Sequence, residues 1–238
     1  MVVGIYGGSF NPVHFGHIGL AHWVLGHTCI DSLWFMVTPN NPLKDSAVLA
    51  DGRLRLEEAR KAVALSLAEH PLPQGKSLQV SDFEFSLPLP SYTAQTLRAL
   101  VQAFPQHEFV LVIGEDNWRI FTRWRDWRYI LSSFPVFVYP RRSSASQPAV
   151  SSPDNVVDAS SAAGITLHTG SGLTASPAAA ITLPPDMQGT DARVVFLSGA
   201  PFFDISSTEL RAASYPRSPL AVPSQYPHTQ GCLGMENS

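Results

Sequence analysis

The chain of 238 residues is poor in cysteine, in net charge and in long apolar runs, and each shortage removes a class of protein. Its two cysteines, Cys29 and Cys232, stand alone. They supply no disulfide framework and no repeated Cys/His pairing of the kind that declares a zinc site, and they fit a reducing cytosol. A formal net charge of -3 with a pI near 6.2 speaks against a polyanionic partner, so no nucleic acid is expected. No stretch approaches the roughly 18 consecutive apolar residues of a membrane span. Met1 runs directly into the apolar Val2-Val3-Gly4-Ile5-Tyr6, without a charged leader or a signal core. Together these absences predict a cytoplasmic protein with no membrane partner. The eight histidines are too dispersed to form a tract.

What is present is enough apolar material for a substantial core, 45% of residues against 15% charged. The chain reads as one domain over 1–238, organised around Gly7-Gly8-Ser9-Phe10-Asn11-Pro12-Val13-His14-Phe15-Gly16-His17. A buried strand that ends in paired glycines and feeds a helix is how α/β proteins present backbone N–H groups to a phosphate. Ile18, Leu20, Ala21, Val24 and Leu25 supply the core-facing stripe of that helix. His14 and His17, three residues apart at its entry, turn their rings toward one side. Their chemistry leaves two uses, donors to a phosphate or ligands to zinc, and no second ligand pair has metal-site spacing.

Further strands are expected at Ser32–Thr38, Leu78–Phe85, Phe109–Ile113, Phe134–Tyr139 and Arg193–Leu197. A helix capped by Asp51 should run to Leu67 with Arg53 and Arg60 on its outer face. Another, capped by Ser91 or Thr93, should bury Leu97, Leu100, Val101 and Phe104. Apolar runs alternating with helical patterns predict an α/β fold: a Rossmann-like, open and mainly parallel sheet with helices on both faces. Residues 143–192 are rich in Ser, Ala, Pro, Gly and Thr and contain no Lys, Arg or aromatic residue, which marks an insertion. Four prolines between Pro216 and Pro227 make 215–238 an irregular tail. Ser206 and Glu209 form a capping box for a last helix that carries Arg211.

These stretches together resemble a known family. His14-Phe15-Gly16-His17 matches in full the H-x-G-H signature of a nucleotidyltransferase superfamily, and Gly8 to His17 fit its longer adenylyltransferase form. Ser91-Tyr92-Thr93-Ala94-Gln95-Thr96-Leu97 is similar to the S-Y-T-x-D-T-[LM] signature of nicotinate mononucleotide adenylyltransferases, with Gln95 in place of the aspartate. Gly114, Asp116 and Trp124 match a further G-x-D…W pattern, and Ile205 to Arg211 match I-S-S-T-x-[IL]-R. Leu43 stands where the family often has a histidine. Arg55 matches an arginine that looks structural in those relatives.

The resemblance implies transfer of an adenylyl group from ATP, with Mg²⁺, to nicotinate mononucleotide. It implies catalytic roles for His14, His17, Arg211 and Lys44. ATP would be held by Gly7, Gly8, Ser9, Phe10, His17, Gly114, Asp116, Ile205, Ser206, Ser207, Thr208 and Arg211. The mononucleotide would meet Ser9, Lys44, Tyr92, Thr93, Trp124, Arg125 and Arg141. Arg142 beside Arg141 faces either phosphate or solvent. No protein-held metal is implied, and a homo-oligomer stays open. Rival readings are pantetheine-phosphate adenylyltransferase, another enzyme with the same histidine signature, or a nucleotide sensor without turnover. The adenylyl-transfer reading requires the imidazoles of the first turn and the guanidinium of the last helix to surround one triphosphate, donors that a pure sensor does not need.

Overall fold

The computed structural model describes residues 1–39, 51–140, 193–197 and 199–201. Strand β1 (Val2–Gly8) is followed by α1 (Phe15–His27) and β2 (Ser32–Val37), and α2 (Gly52–Glu69) precedes β3 (Ser77–Ser81). Then come a 3₁₀ turn at Phe83–Ser86, α3 (Thr93–Ala103), β4 (Glu108–Gly114) and the short α4 (Glu115–Arg119). A second 3₁₀ turn at Phe121–Arg123, α5 (Trp127–Ser133), β5 (Val136–Tyr139) and β6 (Val194–Phe196) complete the described order.

The six strands form one sheet in the order β3-β2-β1-β4-β5-β6, and every described pairing is parallel. Side chains of a strand alternate between faces, and here both faces are covered. Leu33, Phe35, Val37, Val110 and Val112 pack with the buried stripes of α1 and α2. Met36, Phe109, Leu111 and Ile113 pack instead with α3 and α5, through Leu97, Leu100, Ile130 and Leu131. Continuous apolar strands therefore serve two cores at once, and each fully buried Leu or Ile contributes about 1.5–3 kcal/mol. The expected α/β sheet with helices on both faces is what the chain forms. Gly4 allows the close packing at its centre, because a Cβ there would sit 2.6 Å from Leu33 and 2.9 Å from Ile30.

Asp51 caps α2 as expected, its carboxylate accepting the N–H groups of Arg53 and Leu54 at 2.9 and 3.2 Å. Arg53 and Arg60 lie on the exposed side, where Arg60 pairs with Glu57 and Asp82. Four expectations are corrected. The third strand stops at Ser81, since the Ser81 hydroxyl accepts the Phe83 N–H at 3.2 Å and the chain turns into 3₁₀ geometry. Neither Ser91 nor Thr93 caps α3: Tyr92 is its N-cap with no side-chain capping bond, and Thr93 is already helical. Val101 is 43% exposed, so the buried stripe of α3 is narrower than expected. The strand expected from Phe134 begins at Val136, because Phe134 ends α5 and Pro135 has no N–H for the ladder. Among the described residues no helix is long and apolar enough to cross a membrane. The insertion at 143–192 and the tail at 215–238 lie outside the described residues.

Candidate functional site

A sheet in which the chain runs outward from β1 to β3 and then restarts at β4 on the other side leaves a crevice at the carboxyl ends of β1 and β4. The glycine-rich turn lies at that point. Gly7 is exposed there, and a side chain at this position would meet no heavy atom of the described residues within 4 Å. Gly8 is more confined, with the Phe10 ring 3.2 Å from where a Cβ would stand. Phe10 holds a left-handed φ of 44°, a conformation that costs a bulky residue on the order of 1–3 kcal/mol. Its ring is fixed by stacking on Phe35 at 5.0 Å and by edge contacts with Tyr6 and His17 at 5.7 and 5.1 Å. Those contacts offset the strain. They also turn the chain sharply into α1.

His14 is the N-cap of α1 and is buried, whereas His17 is half-buried. Their ring centroids are 3.7 Å apart. The expected convergence of the two imidazoles on one side is therefore present. The His14 backbone N–H donates to His17 Nδ1 at 3.2 Å. That acceptor must be unprotonated, so the proton of the neutral ring resides on Nε2, which makes Nε2 a hydrogen-bond donor.

Ser9 sits between the glycines and the histidines. Its hydroxyl is buried without a hydrogen-bond partner among the described residues. Its carbonyl is gripped from behind by Arg55, the largest wholly buried side chain among the described residues. Arg55 Nη1 donates to the carbonyls of Ser9 and Thr38, the latter at 3.0 Å, and Nη2 donates to the carbonyl of Pro39 at 2.9 Å. Burial lowers the Arg55 pKa and Asp51 partly opposes this, but a guanidinium stays charged throughout the physiological range. The structural reading of Arg55 thus acquires a definite content. It clamps the turn after β1 to the end of β2.

Across the crevice, β4 ends in Gly114. A Cβ at this buried position would displace the Asp116 carboxylate and press on the Tyr139 ring and hydroxyl, 3.1 Å away, so the site is tight for any side chain. Asp116 itself is exposed in the first turn of α4. Trp124 follows the second 3₁₀ turn, half-buried against Phe121 at 5.3 Å, with its indole N–H buried and without an acceptor among the described residues. Arg125 reaches over the Tyr92 ring at 4.9 Å, and one turn later Arg98 of α3 pairs with Asp126 at 2.8 Å. The start of α3 and the segment around Trp124 are thereby held side by side. Tyr92, Thr93, Trp124 and Arg125 share one region of the surface.

One contact of this region has no signal in the linear pattern, although Thr96 itself falls within the Ser91–Leu97 signature. Glu84 and Thr96 are buried, and the Thr96 hydroxyl donates to Glu84 Oε1 at 2.8 Å. Burial raises the Glu84 pKa, opposed by the hydrogen bond from Thr96. Alternation in the expected strand gave no hint of it, since Glu84 belongs to a turn rather than to a strand. Lys44, Arg141, Arg142, Ile205, Ser206, Ser207, Thr208 and Arg211 all lie outside the described residues.

The model of the cytidylyltransferase-like family matches residues 5–213. A Bacteroides fragilis protein named "Probable nicotinate-nucleotide adenylyltransferase" is 46% identical over 138 residues, which cover 58% of this chain and 64% of that protein. One from Azobacteroides pseudotrichonymphae with the same name is 40% identical over 141 residues, covering 59% of this chain and 70% of its own length. The chain thus spans a little under two thirds of the first relative. Among solved structures, a Plasmodium falciparum nicotinic acid mononucleotide adenylyltransferase complexed with NaAD superposes with a TM-score of 0.50 at 17% identity. That match covers 59% of this chain and 64% of the other, and it speaks for the fold alone.

Proposed function

Since the chain belongs to the cytidylyltransferase-like family, and within it to the nicotinate-nucleotide adenylyltransferases, we propose that it transfers the adenylyl group of ATP to nicotinate mononucleotide, giving nicotinate adenine dinucleotide and pyrophosphate. The observation that carries this reading is the histidine pair, 3.7 Å ring to ring, at the glycine-rich end of β1 where the strand order reverses. The 5′-phosphate of the mononucleotide attacks the α-phosphorus of ATP in line. A P–O bond forms there, and the bond to the β-phosphate breaks and releases pyrophosphate. The nucleophile is already ionised at neutral pH, so no protein nucleophile or general base is needed. Catalysis rests on alignment and on donors aimed at the charge that develops on the phosphate oxygens.

In this reading His14 and His17 serve the α- and β-phosphates, His17 through Nε2–H, and exposed Gly7 lets the backbone approach them. Gly114 and Asp116 take the adenosine side. Arg211 and Lys44 take the leaving pyrophosphate. Mg²⁺ would come bound to ATP and would supply charge neutralisation on the phosphates. Tyr92, Thr93, Trp124 and Arg125 form the pyridine side, with Arg141 near the mononucleotide phosphate.

Pyrophosphate release from ATP, compared across nicotinate mononucleotide, nicotinamide mononucleotide and phosphopantetheine, tests the proposal. The highest kcat/KM is expected with the nicotinate compound. Preference for phosphopantetheine would move the protein to the sister activity, and ATP binding without release on any acceptor would make it a sensor. Trp124→Ala should raise the KM for the mononucleotide about 10-fold, the scale of one lost aromatic stacking contact, while changing the KM for ATP far less. Equal changes in both constants would remove Trp124 from the pyridine side.

A further inference from the structure

The adenylyl-transfer reading leaves one buried acid without a task. Glu84 is only 5% exposed, sits in the 3₁₀ turn beyond the edge strand β3, and forms no ion pair among the described residues. A carboxyl in such a place costs free energy unless it organises something. A hydrogen bond ties it to α3. The Thr96 hydroxyl, itself buried in α3, donates to Oε1 at 2.8 Å and lies 3.3 Å from the carbonyl of Tyr92. That same carbonyl accepts the N–H groups of Gln95 and Thr96, at 2.9 and 3.0 Å, that close the first turn of α3. The other carboxyl oxygen of Glu84, Oε2, is buried with no hydrogen-bond partner among the described residues.

Tyr92 has no side-chain cap to define the entry of α3. The first turn of α3 is instead tied from below to the carboxylate of Glu84, in the turn that follows β3. We propose that Glu84 is a positioning residue for the mononucleotide subsite: by accepting the Thr96 hydroxyl it anchors the first turn of α3, which presents Tyr92 and Thr93. The inference rests on the proposed adenylyl transfer and adds to it a residue that touches neither substrate.

The sharpest variant is Thr96→Val, which keeps shape and removes the hydroxyl. The KM for nicotinate mononucleotide should rise about 10-fold, equivalent to about 1.4 kcal/mol, with kcat and the KM for ATP each within about 2-fold of the parent. Thr96→Ser, which keeps the hydroxyl, should restore the parental KM. Glu84→Gln retains an acceptor at the same place and should stay within about 3-fold, whereas Glu84→Ala should behave like Thr96→Val. Direct binding of the mononucleotide, followed by titration calorimetry without ATP, should weaken in parallel with KM. If Thr96→Val and Glu84→Ala lower only the melting temperature, or shift both KM values equally, Glu84 is a packing residue and the proposal fails. If the parent enzyme shows no turnover or binding of the mononucleotide at all, the functional reading fails first, and the two failures are distinct.

Discussion

Replacement of His17 by alanine should lower kcat by on the order of 10²-fold, the scale on which enzymes lose rate when one preorganised donor to a developing charge is removed. The reason is a matter of which nitrogen holds the proton. His17 Nδ1 is occupied by the His14 backbone N–H, so the ring is locked in the tautomer that can donate only through Nε2. The ring itself is held by Phe10 at 5.1 Å, by His14 at 3.7 Å and by Tyr6 at 6.1 Å, so a donor is aimed with little reorganisation. That arrangement matters more in the transition state than in the ground state, and kcat should therefore fall further than the KM for ATP rises. Single-turnover measurement of pyrophosphate release would separate the chemical step from product release. A rate within 3-fold of the parent would remove His17 from the chemistry. Because His17 is only half-buried, the variant should melt within a few degrees of the parent, which keeps the kinetic result interpretable.

The parts of this design that a linear reading reaches are those written in local patterns. Leu33, Phe35 and Val37 on one side and Met36 on the other belong to a run apolar throughout, which is how a strand covered on both faces looks. His14 and His17 were legible because the chemistry lies within one turn of chain. Asp51 was legible as a cap for the same reason. Contacts across distance left no such trace. Glu84 and Thr96 are twelve residues apart and meet only because a turn follows Ser81 where alternation predicted more strand. The cap of α3 went to Tyr92 because backbone geometry placed the helix start there, although two hydroxyl residues flank it. Arg55 is an intermediate case. It falls on the stripe of Ala59, Ala62 and Ser66, all buried, so helical spacing did point it inward, but nothing in the pattern names three carbonyls as its partners.

Those carbonyls make Arg55 the position where one substitution should do most damage to the fold. Arg55→Met keeps the length and apolar stem of the side chain and removes its donors. The carbonyls of Ser9 and Thr38, which belong to buried residues, and that of Pro39 would each lose a charge-assisted hydrogen bond. An unsatisfied buried acceptor costs about 1–3 kcal/mol, so a loss of about 3–5 kcal/mol is expected after partial relaxation. For a chain of this size that corresponds to a melting temperature lower by about 10 °C. Arg55→Lys should recover less than half of the loss, because a single ammonium cannot span carbonyls that a planar fork reaches from two nitrogens. The damage should extend beyond stability. Ser9 is the hinge between exposed Gly7 and the histidine pair, and freeing its carbonyl loosens a turn whose value lies in fixed geometry. At a temperature where Arg55→Met remains folded, kcat/KM should still fall by about 10-fold or more. Parental stability in the methionine variant would mean that water or the neighbouring chain satisfies those carbonyls. Parental activity in a destabilised but folded variant would show that Arg55 supports the sheet without setting the shape of the turn.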